Sequence, residues 1–350
     1  MPSSKPAPSA IQWADTAWKA PTIAFAAGLR ARVTEIPIRP LDPSRSEGIG
    51  SAIAVRAGPL QLFWTRPYSR SWINVHWARY DVASGRLNTS ERGSGLRGDL
   101  VDWLPDDDRH AWFLLTHGLM RVDLDAMAPV AGLARGFPKW MSKLLALGPG
   151  LLGATGWTGE TLTVVEIEGL RVRRALRMHS PDAIWQPQGG VSTIELLSFN
   201  GEVARSLELA TLSLGKARRL PKGKWPLVSG DQAWIVRGKD RVDPRAPRIR
   251  GLEGDHVAEV DIPTGEITRE SPLLPSPERV KGIDGFGRLL VLCQQGFVLL
   301  DPRTLAPVLD VRHPWGAFGD VALLPNGTSA AALPNKVGPE RLVLVEWEAE

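Results

Sequence analysis

Tryptophan is the residue through which this chain is best equipped to bind a ligand, with 14 copies against two tyrosines. Five of them stand near the starts of apolar, strand-like segments: Trp103, Trp140, Trp185, Trp225 and Trp315. Indole rings gathered at the mouth of a pocket could stack on a sugar, a planar ligand, a peptide side chain or a cation. Each ring could instead wedge between neighbouring structural units, with its N–H donated to a carbonyl group. The sequence leaves both interpretations open.

Histidine is scarce, and two of the six copies share a local context. His179 and His313 lie in the segments MHSPDAIW and RHPWGAF, each shortly before a proline and a tryptophan. They are the weak catalytic candidates of this chain, because two imidazoles could form an acid–base pair. Their alternative place is at the solvent edge of a loop. No HxH or HExxH spacing occurs, so we expect neither a metal site nor a cofactor.

Two basic loops interrupt the apolar segments. The longer, 237–255 (RGKDRVDPRAPRIRGLEGD), contains Arg248, and the shorter, 65–72 (TRPYSRSW), contains Arg66 and Tyr68. Long loops in compact repeats often carry binding function, although a tolerated surface insertion is the alternative. The residues predicted to contact a ligand or partner are therefore Trp140, Trp185, Trp225, Trp315, Arg66, Tyr68 and Arg248.

The elements that position these residues are marked by seven acidic residues, which recur at regular intervals, each just after an apolar run. They are Asp81, Asp123, Glu166, Glu208, Asp261, Asp301 and Glu346, at intervals of 42, 43, 42, 53, 40 and 45 residues. Each local pattern indicates a strand, a polar turn and a returning strand, in which the carboxylate accepts backbone N–H groups. Four strands per repeat of 40 to 50 residues are typical of a β-propeller blade.

The sequence therefore predicts an all-β fold, a seven-bladed β-propeller of four-stranded antiparallel blades. The last blade lacks a fourth strand at the C-terminal end, and residues 30–38 alternate well enough to supply it. We expect this segment to pair beside residues 341–348, since an unpaired outer edge invites aggregation. Residues 1–29 form an N-terminal extension and residues 30–350 a single propeller domain.

The hairpins LDPRTL and VDIPTGEI give the chain a family resemblance. Over residues 30–348 it resembles seven-bladed propellers of the broad YVTN, WD40-like and quinoprotein-like group. The resemblance implies that loops between second and third strands share one end of the propeller with the connections between blades. We call that end the funnel face. Such propellers include enzymes, sugar binders and protein scaffolds, so the resemblance implies no particular chemistry.

Composition narrows the functional classes. Charged residues make up 23% of the chain and the net charge is only +4, with Lys and Arg spread along it. Nucleic acid is therefore not the partner we expect, because nucleic-acid binders gather basic residues on one face. The N-terminal segment has no signal-peptide core and no run spans a membrane, which predicts a cytoplasmic protein, expected to be a monomer. The single cysteine, Cys293, is predicted to be a buried strand thiol.

The sequence contains no GxSxG elbow, P-loop or Rossmann fingerprint. The predicted function is that of a non-catalytic binding or scaffold protein, which engages a protein partner or ligand through its Trp- and Arg-rich funnel face. The alternative is an enzyme, such as a lyase, cyclase or hydrolase, acting on a small molecule in the central funnel through His179 and His313. A lectin-like sugar-binding module is the further alternative.

Overall fold

A computed structural model describes most of the chain. The described residues are 22–25, 29–37, 50–54, 60–65, 75–81, 84, 86–89, 100–115, 118–126, 128–139, 141–156, 160–187, 192–238, 255–294, 296–312, 318–334 and 341–349. Their regular elements are all strands, which confirms the all-β prediction. None of them lies in a helix of the length and apolarity that crossing a bilayer requires.

Within the described ranges the strands group into seven antiparallel sheets, numbered here in chain order. Two strands come first along the chain, β1 (Thr22–Phe25) and β2 (Leu29–Pro37). Sheet 1 contains β3 (Gly50–Ala54), β4 (Leu60–Thr65), β5 (Val75–Asp81) and β6 (Arg86–Thr89). Sheet 2 contains β7 (Leu100–Pro105), β8 (His110–Leu115), β9 (Gly118–Asp123) and β10 (Ala128–Leu133). Sheet 3 contains β11 (Met141–Gly148), β12 (Leu151–Gly156), β13 (Thr161–Glu166) and β14 (Arg171–Arg177).

The later sheets follow the same order of strands. Sheet 4 contains β15 (Ala183–Trp185), β16 (Thr193–Ser198), β17 (Val203–Glu208) and β18 (Ser213–Arg219). Sheet 5 contains β19 (Lys224–Ser229), β20 (Gln232–Arg237), β21 (His256–Asp261) and β22 (Glu266–Glu270). Sheet 6 contains β23 (Pro277–Ile283), β24 (Leu289–Cys293), β25 (Gly296–Leu300) and β26 (Pro307–Arg312). Sheet 7 contains β27 (Phe318–Leu323), β28 (Ser329–Pro334) and β29 (Arg341–Ala349).

Both N-terminal strands join sheets formed by the end of the chain. Strand β2 pairs with β29 in antiparallel register, with Arg30 opposite Glu348 and Ile36 opposite Leu342. The predicted pairing of residues 30–38 with 341–348 is therefore present, shifted by one residue at the strand ends. Strand β1 pairs with β26 and makes sheet 6 five-stranded. That second pairing was not predicted, because four residues carry too little alternation to be recognised as a strand.

The hydrophobic core lies between neighbouring sheets. In β24, Leu290 and Leu292 pack in the cluster that contains Val343 of β29, whereas Leu289 and Val291 pack towards Trp234 of β20. A strand covered on both faces must be apolar at every position, since successive side chains point to opposite faces. Cys293 ends this strand as a buried free thiol, as predicted, and burial raises its pKa.

Three of the regularly spaced acidic residues, Asp123, Asp261 and Asp301, organise turns as expected. Asp301 Oδ1 accepts the backbone N–H groups of Arg303 and Thr304 at 2.9 and 2.8 Å, together with the Thr304 hydroxyl at 3.0 Å. Asp123 and Asp261 accept equivalent turn N–H groups. The glutamates differ, because their longer side chain reaches past the turn. Glu166 pairs with Arg171, and Glu208 accepts the Thr193 hydroxyl.

Replacement of Asp301 tests this turn. Asp301→Ala removes three hydrogen bonds at a largely exposed site, and we expect a loss of about 1 kcal/mol in the free energy of unfolding. The bonds hold the pKa of Asp301 below its usual value. Its contribution to stability is therefore present above the pKa of an unfolded aspartate and disappears as pH falls through the lowered folded value. Urea unfolding at pH 7 and at acid pH measures both effects.

The matched control for Asp301→Ala is Glu346→Ala, at the equivalent position of sheet 7, where the side chain is exposed. The urea midpoint of the Glu346→Ala protein should stay near that of the unmodified protein. An Asp301→Ala midpoint that also stays unchanged would contradict the role of the turn carboxylate.

Candidate functional site

Trp225 has the most unusual conformation among the tryptophans of the described residues. Its φ is +49°, a left-handed value that bulky residues rarely adopt. The register of β19 against β20 shifts between Lys224 and Leu227, so Trp225 and Pro226 form a bulge. A following proline further disfavours helical backbone conformations. The residue is 38% exposed, so burial in a core does not account for this conformation.

Two cations from other sheets lie against this indole. The guanidinium carbon of Arg279 is 4.3 Å from the centre of the ring, and Lys143 Nζ is 5.8 Å from it. Both distances are within the range of cation–π attraction. Arg279 belongs to β23 of sheet 6 and Lys143 to β11 of sheet 3. The first strands of sheets 3, 5 and 6 therefore present their side chains to a common space.

Carboxylates from two more sheets complete this group. Asp102 of β7 accepts the N–H of Leu144 at 2.8 Å, and Lys143 Nζ donates to the backbone carbonyl of Asp182, just before β15. Burial, the largest cause, raises the pKa of both carboxyls and lowers the pKa of Lys143. The positive charge of Lys281 also lowers the pKa of Lys143.

We call these residues the central cluster: Asp102, Lys143, Asp182, Trp225, Arg279 and Lys281. Three of its charged groups, Asp102, Lys143 and Asp182, have lost much of their hydration. Electrostatic attraction is stronger in such surroundings than in water. A polar group that enters the cluster would therefore interact strongly with it, while the exposed indole offers an apolar surface beside it.

Trp185 takes the other role that the sequence left open. Its Nε1 donates to Asp231 Oδ1 in the next sheet at 3.1 Å, and the half-buried side chain packs against the core cluster that contains Leu197 and Ala233. Trp185 is the last residue of β15, close to the turn that leads to β16, and so lies away from the funnel face. The structure places it as a wedge between sheets 4 and 5, outside the central cluster.

His179 lies at the connection between sheets 3 and 4, outside the central cluster. It is exposed and lines a cleft of about 250 Å³ with Arg177, Arg205 and Glu160. The other predicted site residues lie outside the described residues: His313, Trp140, Trp315, Arg66, Tyr68 and Arg248. Their roles stay predictions.

Sequence reasoning missed the charged members of the central cluster. The signal that could have found them is a charged residue inside an otherwise apolar first strand, as in VDWLP for Asp102 and MSKLLALG for Lys143. A second network on the funnel face was also missed. Arg237 Nη1 donates to Glu270 Oε1 at 2.7 Å, and His256 Nδ1 contacts Asp255. The backbone N–H of Asp255 donates to the carbonyl of Arg237 at 2.8 Å, which joins the two ends of the long basic loop.

The described residues contain no group of three or more His, Cys, Asp or Glu side chains placed to hold a metal ion. The central cluster has the chemistry of a binding surface, with an exposed ring and opposite charges. Proton transfer between the two histidines proposed from the sequence is not tested, since only one of them is described.

Comparisons with known proteins bear on the fold. No protein-family model and no curated protein sequence matches the chain. Solved structures do. The Pan2 WD40 domain of Neurospora crassa is 14% identical, with a TM-score of 0.62, over 89% of this chain and 95% of that one.

Two further structures give similar values. The WD40 β-propeller domain of Doa1 is 12% identical, with a TM-score of 0.61, over 91% of this chain and 97% of that one. A chain of a mitotic checkpoint complex is 10% identical, with a TM-score of 0.58, over 99% and 98%. At these identities the likeness concerns the fold alone. The chain shares the β-propeller fold of these WD40 domains.

Proposed function

We propose that this protein is a non-catalytic binding module that engages a protein partner through the funnel face, with Trp225 as the central contact. The observation that carries the proposal is the partly exposed Trp225, held in a left-handed backbone conformation with two cations close to its ring. Uncommon backbone conformations persist only where surrounding structure enforces them, and they concentrate at functional sites.

The residue types support a protein partner. Trp and Arg are enriched among the few residues that carry most of the binding energy in protein interfaces. Trp225 and Arg279 stand in contact here, and Leu273, which is 67% exposed, lies on the connection between sheets 5 and 6 on the same face. The similar chain in a mitotic checkpoint complex supports the proposal further, since that protein has this fold within an assembly.

We infer that the seven sheets form one ring, with β2 as the strand that completes sheet 7. The first strands contact in series: β7 with β11, β11 with β15, β15 with β19, β19 with β23 and β23 with β27. Strand β27 of sheet 7 also contacts β3 of sheet 1. The proposal adds one further contact, between sheets 1 and 2, which closes the ring. A cytoplasmic monomer, as the sequence suggests, is part of the same proposal.

Trp225 is the position at which to test the proposed site. A photo-crosslinking amino acid in place of Leu273, which is 67% exposed on the same face, leaves Trp225 intact and should trap the partner in cells. The purified partner then allows affinities to be measured. Trp225→Ala should weaken that affinity at least tenfold, or by about 1.4 kcal/mol, because a central aromatic contact is lost.

Phe286 offers a matched control on the opposite face. It is 51% exposed, and the guanidinium carbon of Arg288 lies 4.6 Å from the centre of its ring. A crosslinker at position 286 should not trap the same protein, and Phe286→Ala should change the affinity less than twofold. Equal losses in the two variants, or an unchanged affinity of folded Trp225→Ala protein, would refute the site.

A further inference from the structure

A cleft separates sheets 3 and 4 at the funnel face, on the outer side of the molecule. Its volume is about 250 Å³, and it is lined by Glu160, Arg177, Met178, His179, Val203 and Arg205. Arg177 and His179 belong to the end of β14 and the connection that follows, while Arg205 projects from β17 of sheet 4. Two guanidinium groups and an imidazole thus line one concave site.

The other arginines of β14 have structural partners. Arg171 Nε pairs with Glu166 in its own sheet at 2.7 Å. Arg173 and Arg174 reach across to sheet 4 and donate to backbone carbonyls of the turn at 210–212, at 3.3 and 3.1 Å. These three side chains therefore stabilise sheet 3 and its contact with sheet 4.

Arg177 and Arg205 differ from them. Within the described ranges, neither side chain makes a hydrogen bond or an ion pair. Arg205 alternates with Leu207, which lies in the core between sheets 3 and 4, so its side chain faces sheet 3. Both guanidinium groups are therefore directed to the cleft with their donors unused.

His179 is held close to the backbone of sheet 4. A Cβ atom at Gly201 would lie 2.8 Å from the Cγ of this histidine, so the contact depends on glycine there. Glu160 contributes one negative charge to the cleft, against two guanidinium groups. The exposed side chains of Lys216 and Arg219 on β18 extend the positive surface.

We propose that this cleft binds a carboxylate side chain of an acidic peptide segment. Guanidinium groups present paired N–H donors that match the two oxygens of a carboxylate. A cleft of this volume accommodates a side chain, and the positive surface of β14 and β18 complements the charge of the flanking acidic chain. The site lies apart from the central cluster and takes a ligand of different chemistry.

The experiment measures binding of a fluorescein-labelled peptide of alternating Glu and Gly to the full chain by fluorescence anisotropy at low salt. The double variant Arg177→Gln/Arg205→Gln should bind it at least tenfold more weakly. The control Arg135→Gln/Arg303→Gln removes the same charge from exposed positions that follow β10 and β25, away from the cleft, and should lose less than threefold. A peptide with Gln in place of Glu should not bind.

Three outcomes would overturn the proposal. Equal losses in the two double variants would show only diffuse attraction, and tight binding of the Gln peptide would exclude a carboxylate. Tighter binding of single-stranded DNA of the same charge, lost in the cleft variant, would assign the surface to nucleic acid. Trp225→Ala should retain peptide binding, which separates this proposal from the funnel-face site. Thermal unfolding of each variant confirms that it is folded.

Discussion

Asp284→Ala is expected to lower the free energy of unfolding by about 3 to 5 kcal/mol, the cost of removing one partner of a buried ion pair. The Asp284 side chain is fully buried in the turn between β23 and β24. Oδ1 accepts the N–H groups of Phe286 and Arg288 at 2.9 and 2.8 Å. Oδ2 accepts Arg288 Nε at 2.7 Å and Trp347 Nε1 at 3.1 Å. One carboxylate thus ties sheet 6 to the last strand of sheet 7.

The loss is large because of what remains after the substitution. The Arg288 guanidinium is nearly buried, and its Nη2 already has no hydrogen-bond partner among the described residues. Without Asp284 its charge would be buried and unpaired, and the Trp347 N–H would lose its acceptor. Both penalties act on the contact between sheets 6 and 7.

Urea unfolding monitored by tryptophan fluorescence measures the effect of Asp284→Ala. Glu166→Ala is the control, since it removes a carboxylate paired with Arg171, which is 72% exposed. That loss should stay below about 1 kcal/mol, as for other surface ion pairs. Asp284→Asn retains an acceptor oxygen. Its loss in the free energy of unfolding should lie between the losses of Asp284→Ala and Glu166→Ala. Losses of the same size in Asp284→Ala and Glu166→Ala would contradict the account of the buried pair.

Deletion of residues 1–37 is expected to leave most of the protein insoluble. Strand β2 pairs with β29 along nine residues, and five of its partners, Leu342 to Val345 and Trp347, are buried. Without β2 the backbone N–H and C=O groups of β29 become an exposed edge. Such an edge is a template for pairing with a second copy of the chain. The deletion also tests the proposed ring, since it removes the strand that completes sheet 7.

Deletion of residues 1–28 is the matched control, because it removes β1 and keeps β2. Sheet 6 then has four strands, like the other sheets, and this protein should stay soluble. Soluble fractions, light scattering and thermal midpoints compare the two deletions. A soluble 1–37 deletion with an unchanged midpoint would refute the closing role of β2.

Sequence alone determined the repeating elements. Alternating apolar residues and turn aspartates act over a few neighbouring positions, so strands such as β24 and turns such as that at Asp301 were predictable. The partner of residues 30–38 was also predictable, because the spacing leaves the last blade one strand short. These features depend on local periodicity and on a count of strands.

Tertiary structure alone decided which residues form the site. Trp185 and Trp225 stand in similar sequence contexts, yet a bulge exposes Trp225, while the Nε1 of Trp185 is bonded to Asp231. The central cluster joins Asp102, Lys143 and Arg279 from three different sheets. Asp284 meets Trp347 across 63 residues of chain. Local patterns carry no information on such contacts, because they depend on how whole sheets are arranged around one another.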